Sequence, residues 1–248
     1  LSSSLSDEMC LDSMSAMLHA SLPQALMPLN PHRILYEDDV LIAVEKLSGE
    51  LVVKGKGRVD RLPLLDFLKK SYPGIRALHR LDFETSGIVL FPKSSAVLDA
   101  ILSKGLSEWK KTYTALVLNV PTEDSGVIDM PLSPRSGRGL VQARTTFRVV
   151  ERFQGCSLIT ADIQSGQRHQ IRRHLASIGH PLILDDEYGN TKLNAVFTKE
   201  FRFQRFFLHA SGMEFPHPTT GVAIRITSPL PKHFQEVIRL LREVKRKM

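Results

Sequence analysis

The stretch His79-Arg80-Leu81-Asp82-Phe83-Glu84-Thr85-Ser86-Gly87 runs directly into the apolar Ile88-Val89-Leu90-Phe91. Thr85, Ser86 and Gly87 permit a tight reversal, and the apolar residues after them read as a buried strand. Asp82 then falls on a loop held by a rigid element, the usual setting for reacting groups. Taken alone, an Arg-Leu-Asp triplet is common and reads as ordinary loop charge.

The flanking chain predicts alternating short elements. Residues 34–46 read as two strands around the acidic turn Glu37-Asp38-Asp39, and Leu51-Val52-Val53 as a short strand. Lys54-Gly55-Lys56-Gly57-Arg58 reads as a flexible basic loop, since no Gly-Lys-Ser/Thr follows to make a phosphate loop. Helices are predicted over 62–70 and 96–106, the second with Val97, Leu98, Ile101 and Leu102 inward. The strand at 110–117 puts Lys111, Tyr113 and Ala115 on one face. Further strands are predicted over 127–132, 143–153 and 156–163. Gly166 then turns the chain into a helix that carries Arg168, Arg172 and Leu175 on one face and ends at Gly179. Residues 183–204 read as an irregular excursion. Strands at 206–210 and 222–226 and a helix over 231–245, with Phe234, Val237, Ile238 and Leu241 apolar, close the chain. Strands interspersed with helices, without a repeated strand–helix unit, predict an α+β fold on a large mixed or antiparallel sheet.

Composition narrows the partners. The 248 residues are 42% apolar, enough for a sizeable core. Lys and Arg number 33 against 26 Asp and Glu, giving +7, which suits a polyanion. The two cysteines, Cys10 and Cys156, form no paired motif and favour a reducing cytoplasm. No apolar run approaches the ~20 residues that span a bilayer, so no membrane is expected. The Ser- and Met-rich start lacks a basic region and is not read as a secretory signal. Residues 1–31 read as a distinct arm and 32–248 as one domain. His169 and His174 are five apart rather than the four that place two metal ligands on one helix face, so no metal is expected. A Ser-His-Asp hydrolase is disfavoured because no Gly-x-Ser-x-Gly elbow occurs.

The opening string, with seven fixed positions in nine residues, resembles the catalytic motif of RNA pseudouridine synthases of the large-subunit rRNA synthase A family. Lys111-Thr112-Tyr113 is similar to the family's Lys-x-Tyr motif. Gly166 to His174 is similar to Gly-Arg-x-His-Gln-Ile/Leu-Arg-x-His, with Gln167 in place of the arginine. His180 to Gly189 is similar to His-Pro-Ile/Leu-x-Gly-Asp-x-x-Tyr-Gly, read here with Asp185 in place of the glycine. Leu208-His209-Ala210 and His217-Pro218-x-Thr-Gly complete a likeness that covers about residues 33–240. The segment from His180 to Gly221 looks most like the branch that modifies tRNA position 65.

That resemblance implies a pseudouridine synthase fold, with helices flanking the sheet and a central RNA-binding cleft. It implies an isomerase that turns uridine in tRNA or rRNA into pseudouridine, with no cofactor, as a cytoplasmic monomer. Asp82 is implied as the catalytic carboxylate, Arg172 as its paired cation and Tyr113 as a catalytic residue whose ring packs against the uracil and whose hydroxyl can move the carbon-5 proton. Arg80 is implied to fill the place of the flipped base. His79, Arg168, His169, Gln170 and Arg173 are implied as further RNA contacts. Two other functions are compatible with the residues: a catalytically idle RNA-binding protein, and a uracil N-glycosylase that would release free base.

Overall fold

Strand β3 (Ser86–Pro92) is buried along its whole length. Ile88 and Leu90 pack into one apolar cluster, and Val89 and Phe91 into another on the opposite face. Covering on both faces is why this strand is a continuous apolar run rather than an alternating one. The computed structural model describes residues 29–55, 62–134, 137–203 and 205–246. Residues 1–28 of the arm, 56–61 with most of the basic loop, 135, 136, 204, 247 and 248 lie outside the described residues.

Around β3 stands a nine-stranded sheet. Its other strands are β1 (Ile34–Glu37), β2 (Leu41–Lys46), β4 (Lys110–Leu118), β5 (Ser125–Asp129), β6 (Arg144–Arg152), β7 (Cys156–Ile163), β8 (Leu208–Pro216) and β9 (Ala223–Thr227). The order is β1-β2-β3-β8-β4-β7-β6-β5, with β9 pairing β8. Every pairing is antiparallel except β3 with β8. The fold is therefore α+β on a mixed, mainly antiparallel sheet, as the sequence predicts.

The parallel junction is short, Ser86 beside His209 and Gly87 beside Ala210. Gly87 has φ +110°, and an added Cβ would collide with the Ala210 backbone. Only glycine meets both demands. On the other edge of β8, Ala210 pairs with Tyr113 of β4. The loop before β3 is thereby delivered beside Tyr113.

Helix α1 (Leu64–Leu68) has no side-chain cap. Its first N–H groups go instead to the carbonyls of Leu51 and Val52, at 2.8 and 3.0 Å. That is why 51–53 is not the predicted strand: its carbonyls cap a helix. Helix α2 (Ser95–Lys104) starts on Ser94, which accepts from Val97, and stops at Gly105. It buries Ile101, but Leu102 points to solvent, against expectation. Helix α3 (Gln170–Ser177) begins after His169, so Arg168 precedes the helix and shares no helical face with Arg172. Residues 183–204 hold helix α4 (Thr191–Phe201), capped by Asn190. The sequence hides it because Leu193 and Val196 are exposed and only Asn194 is buried, which breaks apolar periodicity. Helix α5 (Lys232–Arg246) buries Phe234, Val237, Ile238 and Leu241 at helical spacing, as predicted.

Candidate active site

The loop from Arg80 to Thr85 is tied down from beneath. Lys46, fully buried at the end of β2, donates from Nζ to the carbonyls of Leu47 (3.1 Å), Phe83 (2.9 Å) and Thr85 (2.6 Å). An ammonium has three protons and here three acceptors. Burial pushes its pKa down to about 7. Gly49 N–H adds a second bond to the Phe83 carbonyl at 2.8 Å.

Above this loop a cavity of about 530 Å³ is lined by Arg80, Asp82, Tyr113, Arg168, His169 and Arg172 among others. Its size falls within the ~300–1,000 Å³ common for ligand clefts. Asp82 is 31% exposed and accepts no hydrogen bond among the described residues. Its oxygens stand 3.6 Å from Arg172 Nη1 and 3.6 Å from His169 Nε2. Tyr113 is buried on β4, and burial together with the Asp82 charge raises its phenol well above the ordinary value.

Arg172 differs from expectation in its main partner. Nε and Nη2 donate to the two oxygens of Asp185 at 2.6 and 2.8 Å. Asp185 also accepts from the N–H groups of Glu187 and Tyr188. The rings of Phe206 and Tyr188 lie 4.7 and 5.0 Å from the guanidinium carbon. Burial opposes the charge on Arg172, but its bonds to Asp185, with Asp82 and Glu187 nearby, raise its pKa overall. The described residues thus give Arg172 a fixed seat on Asp185 and leave Nη1 turned toward Asp82.

The motif from His180 to Gly189 needs a correction of register. Its glycine falls at Leu184, which has the left-handed φ of 64°, and Asp185 occupies the motif's own aspartate position. Asn194 of α4 holds this turn, accepting from Leu184 N–H at 2.9 Å and donating to the Asp185 carbonyl at 3.1 Å. Asp185, Lys46 and Asn194 are not among the residues that the sequence marks for the site. The signals it offers are a lysine at a strand end for Lys46 and the motif's own aspartate for Asp185.

His169 also sits at a left-handed position, φ 52°. Its Nδ1 lies 3.1 Å from the Tyr188 hydroxyl. Burial lowers its pKa, against the nearby charges of Asp82 and Glu187. Gln170 touches the cavity, but its amide is committed inward: Oε1 accepts from Ser165 and Gln167, and Nε2 donates to the Arg144 carbonyl. His79 and Arg173 do not line the cavity. His79 Nε2 accepts from Leu90 N–H at 3.1 Å, and burial pushes its pKa down to about 3. Arg173 donates to the Ser133 carbonyl. Among the described residues no three His, Cys, Asp or Glu side chains gather as a metal site. No described helix is long and apolar enough to cross a membrane.

Residues 40–177 match the family of RNA pseudouridylate synthases. The chain belongs to that family. It is similar to the ribosomal large subunit pseudouridine synthase C of Vibrio cholerae serotype O1, at 32% identity over 86% of this chain and 70% of that protein. The synthase C of Haemophilus ducreyi is 36% identical over 86% of this chain and 70% of its own length. The synthase D of Nitrosomonas europaea is 34% identical over 86% of this chain and 66% of its own. The fold is shared with human RNA pseudouridylate synthase domain containing 4, at TM-score 0.71 and 23% identity, covering 85% of this chain and 93% of that one. Pseudouridine synthases are isomerases that convert uridine to pseudouridine in RNA.

Proposed function

We propose that this chain isomerises uridine in structured ribosomal RNA, with Asp82 as the reacting carboxylate. The observation that carries this reading is one cavity that gathers Asp82, Tyr113 and Arg172 from three separate parts of the chain. The RNA class rests on relatives named for the large ribosomal subunit. A paired uridine has to be flipped from its stack, at a few kcal/mol. Arg80, exposed and without a hydrogen bond or ion pair among the described residues, takes the vacated place. The bond from ribose carbon-1′ to uracil nitrogen-1 breaks, the base turns, and carbon-5 joins carbon-1′; the carbon-5 proton passes to water and nitrogen-1 takes one up, so the change is an isomerisation. Asp82 starts this at the sugar, with its oxygens open to the cavity. Arg172 holds its position because Asp185 anchors it. Tyr113 packs on the uracil face; its raised pKa keeps the phenol protonated and makes it a poor base. Arg168 and the other surface Lys and Arg supply phosphate contacts at the rim, so affinity falls with salt. The enzyme works as one catalytic domain, monomeric and cytoplasmic.

The test is incubation with large-subunit rRNA and, separately, tRNA in chelator, followed by chemical mapping of pseudouridine and assay of free uracil. Pseudouridine in the rRNA supports the reading. Product in tRNA alone moves the substrate to the position-65 type of enzyme. Free uracil without pseudouridine makes the protein a glycosylase, and no product from either RNA overturns the enzyme reading.

A further inference from the structure

Phe83 follows Asp82 directly, at one of the two open positions of the Asp-x-x-Thr string. It is 45% exposed, and of all the described Phe, Tyr and Trp side chains it alone is exposed. Single exposed aliphatic residues are ordinary on a surface and need no account. An exposed aromatic one residue from the reacting carboxylate is a different matter.

The backbone of Phe83 is not free to turn this ring inward. Its carbonyl accepts from both Lys46 Nζ and Gly49 N–H, at 2.9 and 2.8 Å. The same Lys46 ammonium holds the carbonyl of Leu47, a second exposed apolar side chain. Two apolar side chains therefore stand in water on two loops fastened at one buried cation. Arg80 and Arg168, both exposed and both without a hydrogen bond or ion pair among the described residues, line the neighbouring cavity. An exposed aromatic face three residues along the chain from an unpaired cation is the kind of surface on which unstacked nucleotides settle.

We infer that Phe83 is a stacking platform for the base next to the target uridine. The inference rests on the proposed RNA isomerase activity. Phe83 is not part of the cavity lining, so the target base itself belongs to Asp82 and Tyr113. Consecutive Cα atoms are about 3.8 Å apart, so the ring starts within one nucleotide's reach of Asp82. Stacking places the flanking base without reading its hydrogen-bond edge, so Phe83 is a positioning residue rather than a catalytic one.

The experiment uses a stem–loop RNA with a single loop uridine flanked by 2-aminopurine, whose fluorescence is quenched by stacking. Wild type, Phe83→Ala and Phe83→Trp are titrated with it, and the same proteins are titrated with an RNA that is abasic at the flanking nucleotide. Wild type and Phe83→Trp should quench the probe. Phe83→Ala should lose the quench and bind about 5- to 100-fold more weakly, with an unchanged melting temperature. The weakening should vanish on the abasic RNA. Equal affinity and equal quenching in wild type and Phe83→Ala overturn the inference, as does a weakening that persists on abasic RNA. An absence of binding by wild type at low salt also overturns it. Because these readouts need no turnover, they separate this inference from the isomerase reading, which stands or falls on pseudouridine mapping.

Discussion

Arg172 stands between two aspartates that live in different surroundings. Asp185 is fully buried and accepts two guanidinium hydrogen bonds and two backbone N–H groups. Asp82 is 31% exposed and approaches the same arginine only to 3.6 Å. One carboxylate is committed to structure, while the other keeps its oxygens open to the cavity. An arginine shared in this way can offer charge to a reacting group without closing on it. If Arg172 had Asp82 as its only partner, the pair would be free to collapse into a bidentate bond that occupies both oxygens.

The largest expected effect breaks the buried side. Asp185→Ala removes the fully buried partner of Arg172, leaving it only the partly exposed Glu187 and Asp82, and should cost about 3–5 kcal/mol in chemical denaturation. A cost under about 1 kcal/mol would mean that Arg172 swings to Asp82, and the two acids would then be interchangeable. The open side should behave in the opposite way. Asp82→Asn should change stability by no more than about 0.5 kcal/mol. Its single-turnover rate should nevertheless fall at least about a hundredfold, or about 2.7 kcal/mol in the barrier, with RNA affinity kept. Rate and binding falling together would make Asp82 structural.

A smaller effect tests what holds the open side in place. Lys46→Met leaves the Leu47, Phe83 and Thr85 carbonyls without their shared donor, at about 1–3 kcal/mol of stability, and turnover should drop as the loop loosens. Full activity in that variant would show that Gly49 and β3 suffice to hold the loop. The most gradual effect, spread over more than two pH units, concerns acid. His209, beside Ser86 at the parallel junction, has its pKa lowered to about 4 by burial, from an ordinary 6.5. Its contribution is therefore complete above pH 6.5 and is lost as pH falls toward 4. The slope is at most about 1.4 kcal/mol per pH unit. Thermal melts from pH 8 to 4 should show a flatter acid limb in His209→Gln; an identical limb would remove His209 from the account.

Much of the architecture is legible in the order of residues alone. β7 matches its expected bounds at Cys156–Ile163, and α5 buries the four residues that its spacing picks out. Helix α4 is illegible there because it packs through Asn194 rather than through an apolar stripe. His79 reads as an RNA contact because it opens the motif, yet its ring accepts from Leu90 inside the fold. Arg168 reads as helical because periodicity does not register the left-handed turn at His169.

By itself the sequence determined the family, through its motifs, and the α+β class and the loop that carries Asp82, through turn residues and side-chain period. Those signals are local, and each is complete within a dozen residues. The tertiary structure alone decided which aspartate anchors Arg172, that Leu184 takes the left-handed turn, and that a buried lysine fastens the loop under the cavity. A hydrogen bond is chosen by distance and burial, and residues 46, 85, 172 and 185 become neighbours only when the sheet has closed around them.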